Sequence, residues 1–348
     1  MRRLPIYFLI DVSESMVGEP IENVQEGIGS IIKELKTDPF ALETVWLSII
    51  GFAGNAEVIT PLQDIISFYP PKFPIGSGTS LSSGLDKLMN ALDNEIIKTT
   101  YERKGDWKPI VFLFTDGVPT DNADKQIDKW KNNFSSKCNL VVISMGENTD
   151  LNLLNQLTDN VLIFKDVDVN SYKEFFKWVT ASIKATSEHI TNSNCDQFDL
   201  SKMNSEIIEK IDLTKNYNIP DENTVVLRGK CSETKNSYLI KYKKDFRESG
   251  FMDILSTYFK VVGSYKIDDK SYDKFSNTIK TSVKVASSDL YGNPSCPCCS
   301  NNYSVATCSC GGVHCISGSN EMVTCPWCGN SSHYGFSDED FDINRTLG

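Results

Sequence analysis

Short apolar runs alternate with amphipathic helical patterns over roughly the first 190 residues. The runs "IYFLID" and "IVFLFTD" are almost continuously apolar, which is typical of central strands that are buried on both faces. The pattern predicts strands at 4–11, 44–53, 109–115, 139–145 and 161–165, and helices at 20–36, 81–98, 123–135, 150–158 and 170–187. This order predicts an α/β fold with a doubly wound, mostly parallel sheet.

The pattern changes after this region. A polar stretch without an apolar face is followed by β-like runs such as "NTVVLRGK" and "STYFKVVGSYKI", and then by a segment crowded with cysteines. We therefore expect an α/β domain at 1–190, a linker at 191–204, a β-rich middle region at 205–290, a zinc-ribbon-like module at 291–335 and an acidic tail at 336–348.

Composition narrows the classes of partner. The 348 residues are 40% hydrophobic and carry a formal net charge of −11, which argues against a protein that neutralises the phosphates of nucleic acid. The first apolar stretch, 4–10, is too short to cross a membrane, and no run of 18 apolar residues occurs. We expect a cytoplasmic protein that binds neither nucleic acid nor membrane.

Oxygen-bearing side chains follow the first predicted strand in the sequence "DVSES". Asp11, Ser13 and Ser15 alternate, so a loop that curls beyond the sheet edge could bring their oxygens together. Thr79 in the Gly-rich loop "IGSGTS" and Asp116 after the strand "IVFLFT" are expected at the same edge. Carboxylates and hydroxyls are hard ligands that suit Mg²⁺ or Mn²⁺. Alone, the first three residues could simply cap the next helix.

In chain order and context, these five residues resemble the metal-ion-dependent adhesion site of the von Willebrand factor A fold, over roughly residues 4–190. The resemblance implies that the hydroxyls bind the metal directly and the Asp groups bind it directly or through water. It also implies that one coordination position is left for an acidic side chain of a protein partner.

An enzymatic alternative starts from the same strand. Haloacid-dehalogenase-type phosphatases also place a Mg²⁺-bound nucleophilic Asp after their first strand. Their signature needs a second Asp two residues later as general acid, and position 13 is Ser. A Ser/His/Asp or Cys/His arrangement with convincing context is also missing, so we expect no catalytic residue.

Cysteines provide the second candidate site. Of 11 Cys, eight lie between Cys296 and Cys328. Two Cys-x-x-Cys pairs, Cys296 with Cys299 and Cys325 with Cys328, have the spacing of a ribbon-type tetrahedral Zn²⁺ site. The residues between these pairs could hold a second, interleaved Zn²⁺; they are Cys308, Cys310, His314 and Cys315. One or two zinc ions are therefore expected.

The remaining cysteines and histidines are expected to be ordinary. Cys298 is interpreted as a spare thiol that could replace a neighbouring ligand. Buried or surface thiols are expected at Cys138, Cys195 and Cys231, and structural or solvated imidazoles at His189 and His333.

A ubiquitin-ligase RING would also place two zinc ions in about this length. Its middle ligands run Cys-x-His-x-x-Cys-x-x-Cys, whereas this chain has Cys-x-Cys followed by His-Cys. The segment after residue 286 is acidic, which favours contact with a protein over nucleic acid.

Together the adhesion-type residues and the cluster "CPCC…CSCGGVHC…CPWCG" resemble the tellurite-resistance TerY family. The resemblance implies a non-enzymatic metal-binding module that acts with a PP2C-type phosphatase and a serine/threonine kinase in stress signalling. The sequence itself predicts a divalent-metal-dependent protein-binding surface joined to a zinc-stabilised module.

Overall fold

A computed structural model describes residues 2–145, 149–164, 169–193, 208–210, 223–248, 255–277, 283–318, 321–335 and 340–346. The chain divides into two compact units. The first contains 1–12, 19–73 and 79–220, and the second contains 13–18, 74–78 and 221–348.

The first unit is built on a seven-stranded sheet with the order β3-β2-β1-β4-β5-β6-β7. Its elements in chain order are β1 (Leu4–Asp11), α1 (Glu19–Leu35), α2 (Pro39–Thr44), β2 (Val45–Phe52), β3 (Ala56–Asp64), α3 (Leu81–Glu95), β4 (Ile110–Thr115), α4 (Asp124–Asn133), β5 (Asn139–Ser144), α5 (Leu151–Leu154), β6 (Val161–Phe164), α6 (Val169–Ser193) and β7 (Ile208–Lys210). Strands β2, β1, β4, β5 and β6 are mutually parallel, and β3 and β7 are antiparallel edges. The predicted α/β fold is confirmed.

Helices cover both faces of this sheet because its central strands are apolar on both sides. All eight residues of β1 are buried. Tyr7 and Leu9 belong to the core cluster that also contains buried residues of α3 and α4. Phe8 points to the opposite face, as strand alternation requires, and stacks at 5.8 Å on Phe112 of β4. The aromatic layer continues from Phe114 into α6.

The order of the strands reverses at β1, which has β2 on one side and β4 on the other. In open parallel sheets, the carboxyl ends of two such strands border the crevice where ligands bind. Asp11 is the last residue of β1, and Asp116 directly follows β4. The sheet therefore puts both predicted carboxylates at its functional edge.

The second unit contains a six-stranded sheet with the order β12-β10-β9-β8-β14-β13 and two two-stranded sheets, β11-β17 and β15-β16. Its elements are β8 (Thr224–Lys230), β9 (Ser237–Glu248), β10 (Leu255–Lys266), α7 (Asp269–Phe275), β11 (Lys284–Ala286), β12 (Leu290–Tyr291), β13 (Tyr303–Thr307), β14 (Val313–Ile316), β15 (Glu321–Thr324), β16 (Ser331–Tyr334) and β17 (Asp342–Asn344), with 3-10 turns at Glu14–Met16 and Ser287–Asp289.

One sheet joins the predicted middle region to the predicted cysteine module. Strand β8 pairs parallel with β14, with Gly229 opposite Val313 and Lys230 opposite His314. The strands on both sides of the predicted domain boundary at 290/291 therefore belong to one sheet. The described part of the predicted tail, 340–346, contains β17, which pairs with β11. Residues 194–204 of the predicted linker lie outside the described residues, whereas 191–193 end α6.

Candidate metal centres

Asp11 is completely buried at the tip of β1. Thr115, the last residue of the neighbouring β4, donates a hydrogen bond from Oγ1 to Asp11 Oδ2 at 2.7 Å. A buried carboxyl group is costly unless its oxygens accept hydrogen bonds or face a cation, so this contact helps to hold the side chain of Asp11 in one orientation. Thr115 was not among the predicted site residues, although its position directly before Asp116 at the strand end could have indicated it.

Thr79 lies just before α3 and is 2% exposed. Its backbone N–H donates to Thr120 Oγ1 at 3.0 Å, and the N–H of Thr120 donates to the Thr79 carbonyl at 2.8 Å. This reciprocal pair fastens the Gly-rich loop to the loop that follows Asp116. Asp116 itself is half-buried.

Ser13 and Ser15 belong to the second unit. Their hydroxyl oxygens lie 2.9 Å apart, and the Ser13 side chain is fully buried. A 3-10 turn fixes this spacing, because the Met16 N–H donates to the Ser13 carbonyl at 3.1 Å. The structure therefore brings two of the predicted hydroxyl ligands together.

The chemistry of this donor set fits a hard cation. Two carboxylates and three hydroxyls are oxygen ligands of the kind that Mg²⁺ and Mn²⁺ accept, and three of the five side chains are fully or almost fully buried. The convergence of all five on one ion stays a prediction.

Eight cysteines form two groups in the second unit. We name them the first cysteine group, Cys231, Cys296, Cys299 and Cys315, and the second cysteine group, Cys308, Cys310, Cys325 and Cys328. Within each group all four Sγ atoms lie within 4.8 Å of one another. All seven predicted cysteine ligands are included.

Sulfur spacing tests whether these groups fit a metal. The Sγ atoms of Cys299 and Cys315 are 3.6 Å apart, and those of Cys308 and Cys328 are 3.7 Å apart. A tetrahedral Zn²⁺ with bonds of about 2.3 Å would separate its sulfurs by about 3.8 Å. A disulfide would instead need about 2.05 Å, and these cysteines are free thiols. Both groups therefore have the geometry of four-thiolate sites.

Burial raises the pKa values of Cys296, Cys299, Cys310 and Cys325, whereas hydrogen-bond donors favour the thiolate form of two other grouped cysteines. A hydrogen bond from the Cys310 N–H lowers the pKa of Cys308 to about 6. Burial by itself raises the pKa of Cys231, but hydrogen bonds from Thr234 outweigh it and lower the pKa to about 7. The Thr234 N–H lies 3.3 Å from Cys231 Sγ. Deprotonation of these two thiols near neutral pH fits metal binding.

The predicted zinc ligand His314 lies in neither group. It is completely buried, its Nδ1 is 3.2 Å from the Cys315 carbonyl oxygen, and its ring meets Tyr334 edge-on. The physical reason is strand alternation: His314 and Cys315 are successive residues of β14, so their side chains point to opposite faces. The expected set of seven cysteines and His314 is therefore corrected to eight cysteines.

Cys231 takes the place expected for His314. It follows β8 directly, and the parallel pairing of Lys230 with His314 carries Cys231 next to Cys315, with an Sγ–Sγ distance of 3.8 Å. The expectation of an ordinary thiol at Cys231 is therefore wrong. The two Cys-x-x-Cys pairs also lie in different groups instead of sharing one metal.

The other candidates are distributed as follows. Cys298 lies outside both groups. Cys138 is buried in the first unit, and burial raises its pKa to about 12. Cys195 lies outside the described residues. His333 is exposed and His189 half-buried.

Comparison with protein families gives two separate matches. Residues 6–178 match the von Willebrand factor type A domain, and residues 221–348 match the TerY-C metal binding domain. The chain therefore has the two domains of a TerY-like protein. The TerY-C match begins before Cys231, so it includes all eight grouped cysteines of this TerY-like chain.

The solved structures to which this chain is similar are distant from it in sequence. Proximal thread matrix protein 1 of the mussel byssus is 18% identical over 51% of this chain and 47% of its own, with a TM-score of 0.39. A von Willebrand factor type A protein of Catenulispora acidiphila is 16% identical over 52% of this chain and 42% of its own, with a TM-score of 0.40. The match spans less than half the length of each of these solved chains.

These findings identify a metal-binding protein-interaction module. Two cysteine groups are able to hold metal ions, and they accompany a domain class that generally binds proteins. None of the helices in the described ranges is long and apolar enough to span a membrane.

Proposed function

We propose that this TerY-like protein is a non-enzymatic, cytoplasmic adaptor that captures an acidic side chain of a partner protein through Mg²⁺ or Mn²⁺. Asp11, Ser13, Ser15, Thr79 and Asp116 would hold this ion, and the two cysteine groups would hold Zn²⁺. The observation that carries the proposal is the buried Asp11 carboxylate, oriented by Thr115 at the point where strand order reverses.

The ligand charges support capture of a carboxylate. Two carboxylates just balance a divalent cation, and the other three ligands are neutral hydroxyls. The bound ion therefore keeps electrophilic character toward a further anionic ligand. A Glu or Asp of the partner would supply that ligand. The resemblance to the TerY family makes a PP2C-type phosphatase and a serine/threonine kinase the first partners to test.

The cysteine groups have a structural part in this proposal. Four thiolates fill a tetrahedral shell, as in zinc sites that stabilise a fold, whereas catalytic zinc keeps an open position. Zn²⁺ bound there would hold the second unit together. That unit would then offer its surface, and not its metals, for contact with a second protein.

The test is a pull-down with zinc-loaded full-length bait from native lysate, with and without Mg²⁺. The buffer contains no chelator, because a chelator would also remove zinc. We expect the bait to retain the kinase or phosphatase only with Mg²⁺, and Asp11→Asn and Asp116→Asn baits to lose it. Asp128→Asn changes an exposed carboxylate of α4 and serves as the matched control. Retention of the same partners by all baits would refute the adhesion-type site.

A phosphatase assay on the same preparations tests the alternative enzyme class. A haloacid-dehalogenase-type reaction needs a general acid two residues after the nucleophile, and that residue is the buried Ser13, whose hydroxyl lies against Ser15. Mg²⁺-dependent turnover that is abolished by Asp11→Asn would replace the adaptor proposal with an enzyme.

A further inference from the structure

The segment Ser13–Gly18, which contains two predicted hydroxyl ligands, is part of the core of the second unit. Its Val17 is 4% exposed and belongs to an apolar cluster with Val226 of β8, Leu239 of β9 and Tyr272 of α7. The ligand-bearing turn is therefore packed against the sheet of the TerY-C domain.

Lys241 fixes the backbone of this segment. The residue lies in β9 and is 8% exposed, and its ammonium Nζ donates to the carbonyls of Ser15 and Val17. The distance to the Val17 oxygen is 3.2 Å. A buried ammonium is costly unless it is hydrogen-bonded, so Lys241 and these carbonyls hold each other in place.

Tyr272 fixes the side chain of Glu14, which lies between Ser13 and Ser15 in the sequence. Glu14 is completely buried and accepts hydrogen bonds from the hydroxyl of Tyr272 and from Ser77 Oγ, the latter at 3.1 Å. Burial, followed by the charge of Glu14, raises the pKa of Tyr272 well above its ordinary value, so the phenol keeps the proton that it donates. The guanidinium of Arg228 lies 4.3 Å from the centre of the tyrosine ring.

We propose that Lys241 and Tyr272 are positioning residues that set the geometry of Ser13 and Ser15, and hence the metal affinity of the adhesion-type site. The inference rests on the proposed function, because it needs a metal at that site. Its physical basis is preorganisation: ligand oxygens must be held to within about 0.5 Å, and both contacts restrain the residues between or beside them. The TerY-C domain would then control the site through its own side chains.

The experiment measures Mn²⁺ binding to the zinc-loaded full chain by calorimetry, together with zinc content, the unfolding midpoint and amide exchange at Met16 and Val17. Both amides donate within the turn, to Ser13 and Glu14 carbonyls respectively. The variants are Tyr272→Phe and Lys241→Met. Tyr242→Phe is the matched control, because it also deletes a buried phenol hydrogen bond, to the Gly292 carbonyl at 3.1 Å.

We expect Tyr272→Phe and Lys241→Met each to weaken Mn²⁺ binding about tenfold, as expected for a lost hydrogen bond to a charged group, and to speed exchange at the two amides. Tyr242→Phe should leave both readouts unchanged even where it lowers the unfolding midpoint. Retained zinc would show that the second unit is still folded in the two test variants.

Failure of the inference is distinct from failure of the proposed function. If Asp116→Asn abolishes Mn²⁺ binding while Tyr272→Phe and Lys241→Met behave like Tyr242→Phe, the positioning role is overturned and the metal site stands. If the wild type does not bind Mn²⁺, or Asp116→Asn binds it equally well, the proposed function is overturned and the control of metal affinity falls with it.

Discussion

The two units reach stability by different routes. The first buries large apolar side chains on both faces of its sheet, with Trp130 on one face and Phe112 on the other fully buried. In the second, cysteines are members of the core clusters: Cys231, Cys296 and Cys315 belong to one, and Cys308 and Cys325 to another. Candidate metal ligands are thus part of the core in the second unit, whereas the core of the first unit is built from large apolar side chains.

Removal of zinc is expected to give the largest effect. A chelator should unfold the second unit, since structural Zn²⁺ contributes about 10–16 kcal/mol in small zinc domains, and leave the first unit folded. Hydrogen exchange resolved along the chain would measure this as loss of protection in β8–β14 and retained protection in β1, β4 and β5. Equal loss in both units would contradict the comparison.

Replacement of one cysteine tests the comparison of the two units more sharply. Cys231→Ser should reduce bound zinc from two ions to one, because it removes a ligand of the first cysteine group. Cys138→Ser changes a buried thiol of the first unit and should leave two. Native mass spectrometry would count the ions. Two zinc ions in Cys231→Ser would mean that another residue, with Cys298 the nearest in sequence to Cys299, completes the group.

Gly27→Ala should destabilise the first unit without changing the zinc content of the protein. A β-carbon at Gly27 of α1 would lie 2.1 Å from atoms of the Phe176 ring, so α1 or α6 must shift. Overpacking of this kind costs about 1–3 kcal/mol. Denaturant unfolding, followed by the fluorescence of the first unit, would measure the decrease in the free energy of unfolding. The zinc content should be unchanged. A stability equal to that of the wild type would show that this helix contact is loosely packed.

Gly29→Ala is the companion change and should give the smallest effect, with the opposite sign. A β-carbon at Gly29 meets nothing within 4 Å, and the residue lies in the same helix. Alanine is favoured over glycine in a helix by about 0.5–1 kcal/mol, so the free energy of unfolding should rise by up to that amount. A decrease in the free energy of unfolding would mean that a β-carbon at Gly29 makes an unfavourable contact that the structure does not show.

Sequence periodicity was informative for the first unit because local and tertiary preferences agree there. Continuous apolar runs mark β1, β4 and β5, and strand direction alone puts Asp11 and Asp116 at one sheet edge. Strand β3 was missed because it is a half-exposed edge strand interrupted by Pro61. Helix α5 is much shorter than the pattern predicted, ending at Leu154.

The cysteine groups show where spacing fails as a guide. Cys-x-x-Cys pairs identify ligands but not partners, because partners are chosen by the sheet. Cys231 lies far from the cluster in sequence and reaches it only through the register of β8 with β14. His314 and Cys315 are adjacent in sequence, but alternation along β14 puts their side chains on opposite faces. Both results need the observed strands and not only the spacing of the residues.

The pairing of β8 with β14 also affects the denatured chain. A metal retained by Cys231 and Cys315 closes a loop with a sequence separation of 84, against 20 for Cys308 and Cys328. Loop-closure entropy grows as the logarithm of length, so the longer loop restricts an unfolded chain by about 1.3 kcal/mol more than the shorter one. The first cysteine group would therefore act as a reversible long-range cross-link, which reduces the conformations open to the chain before it folds.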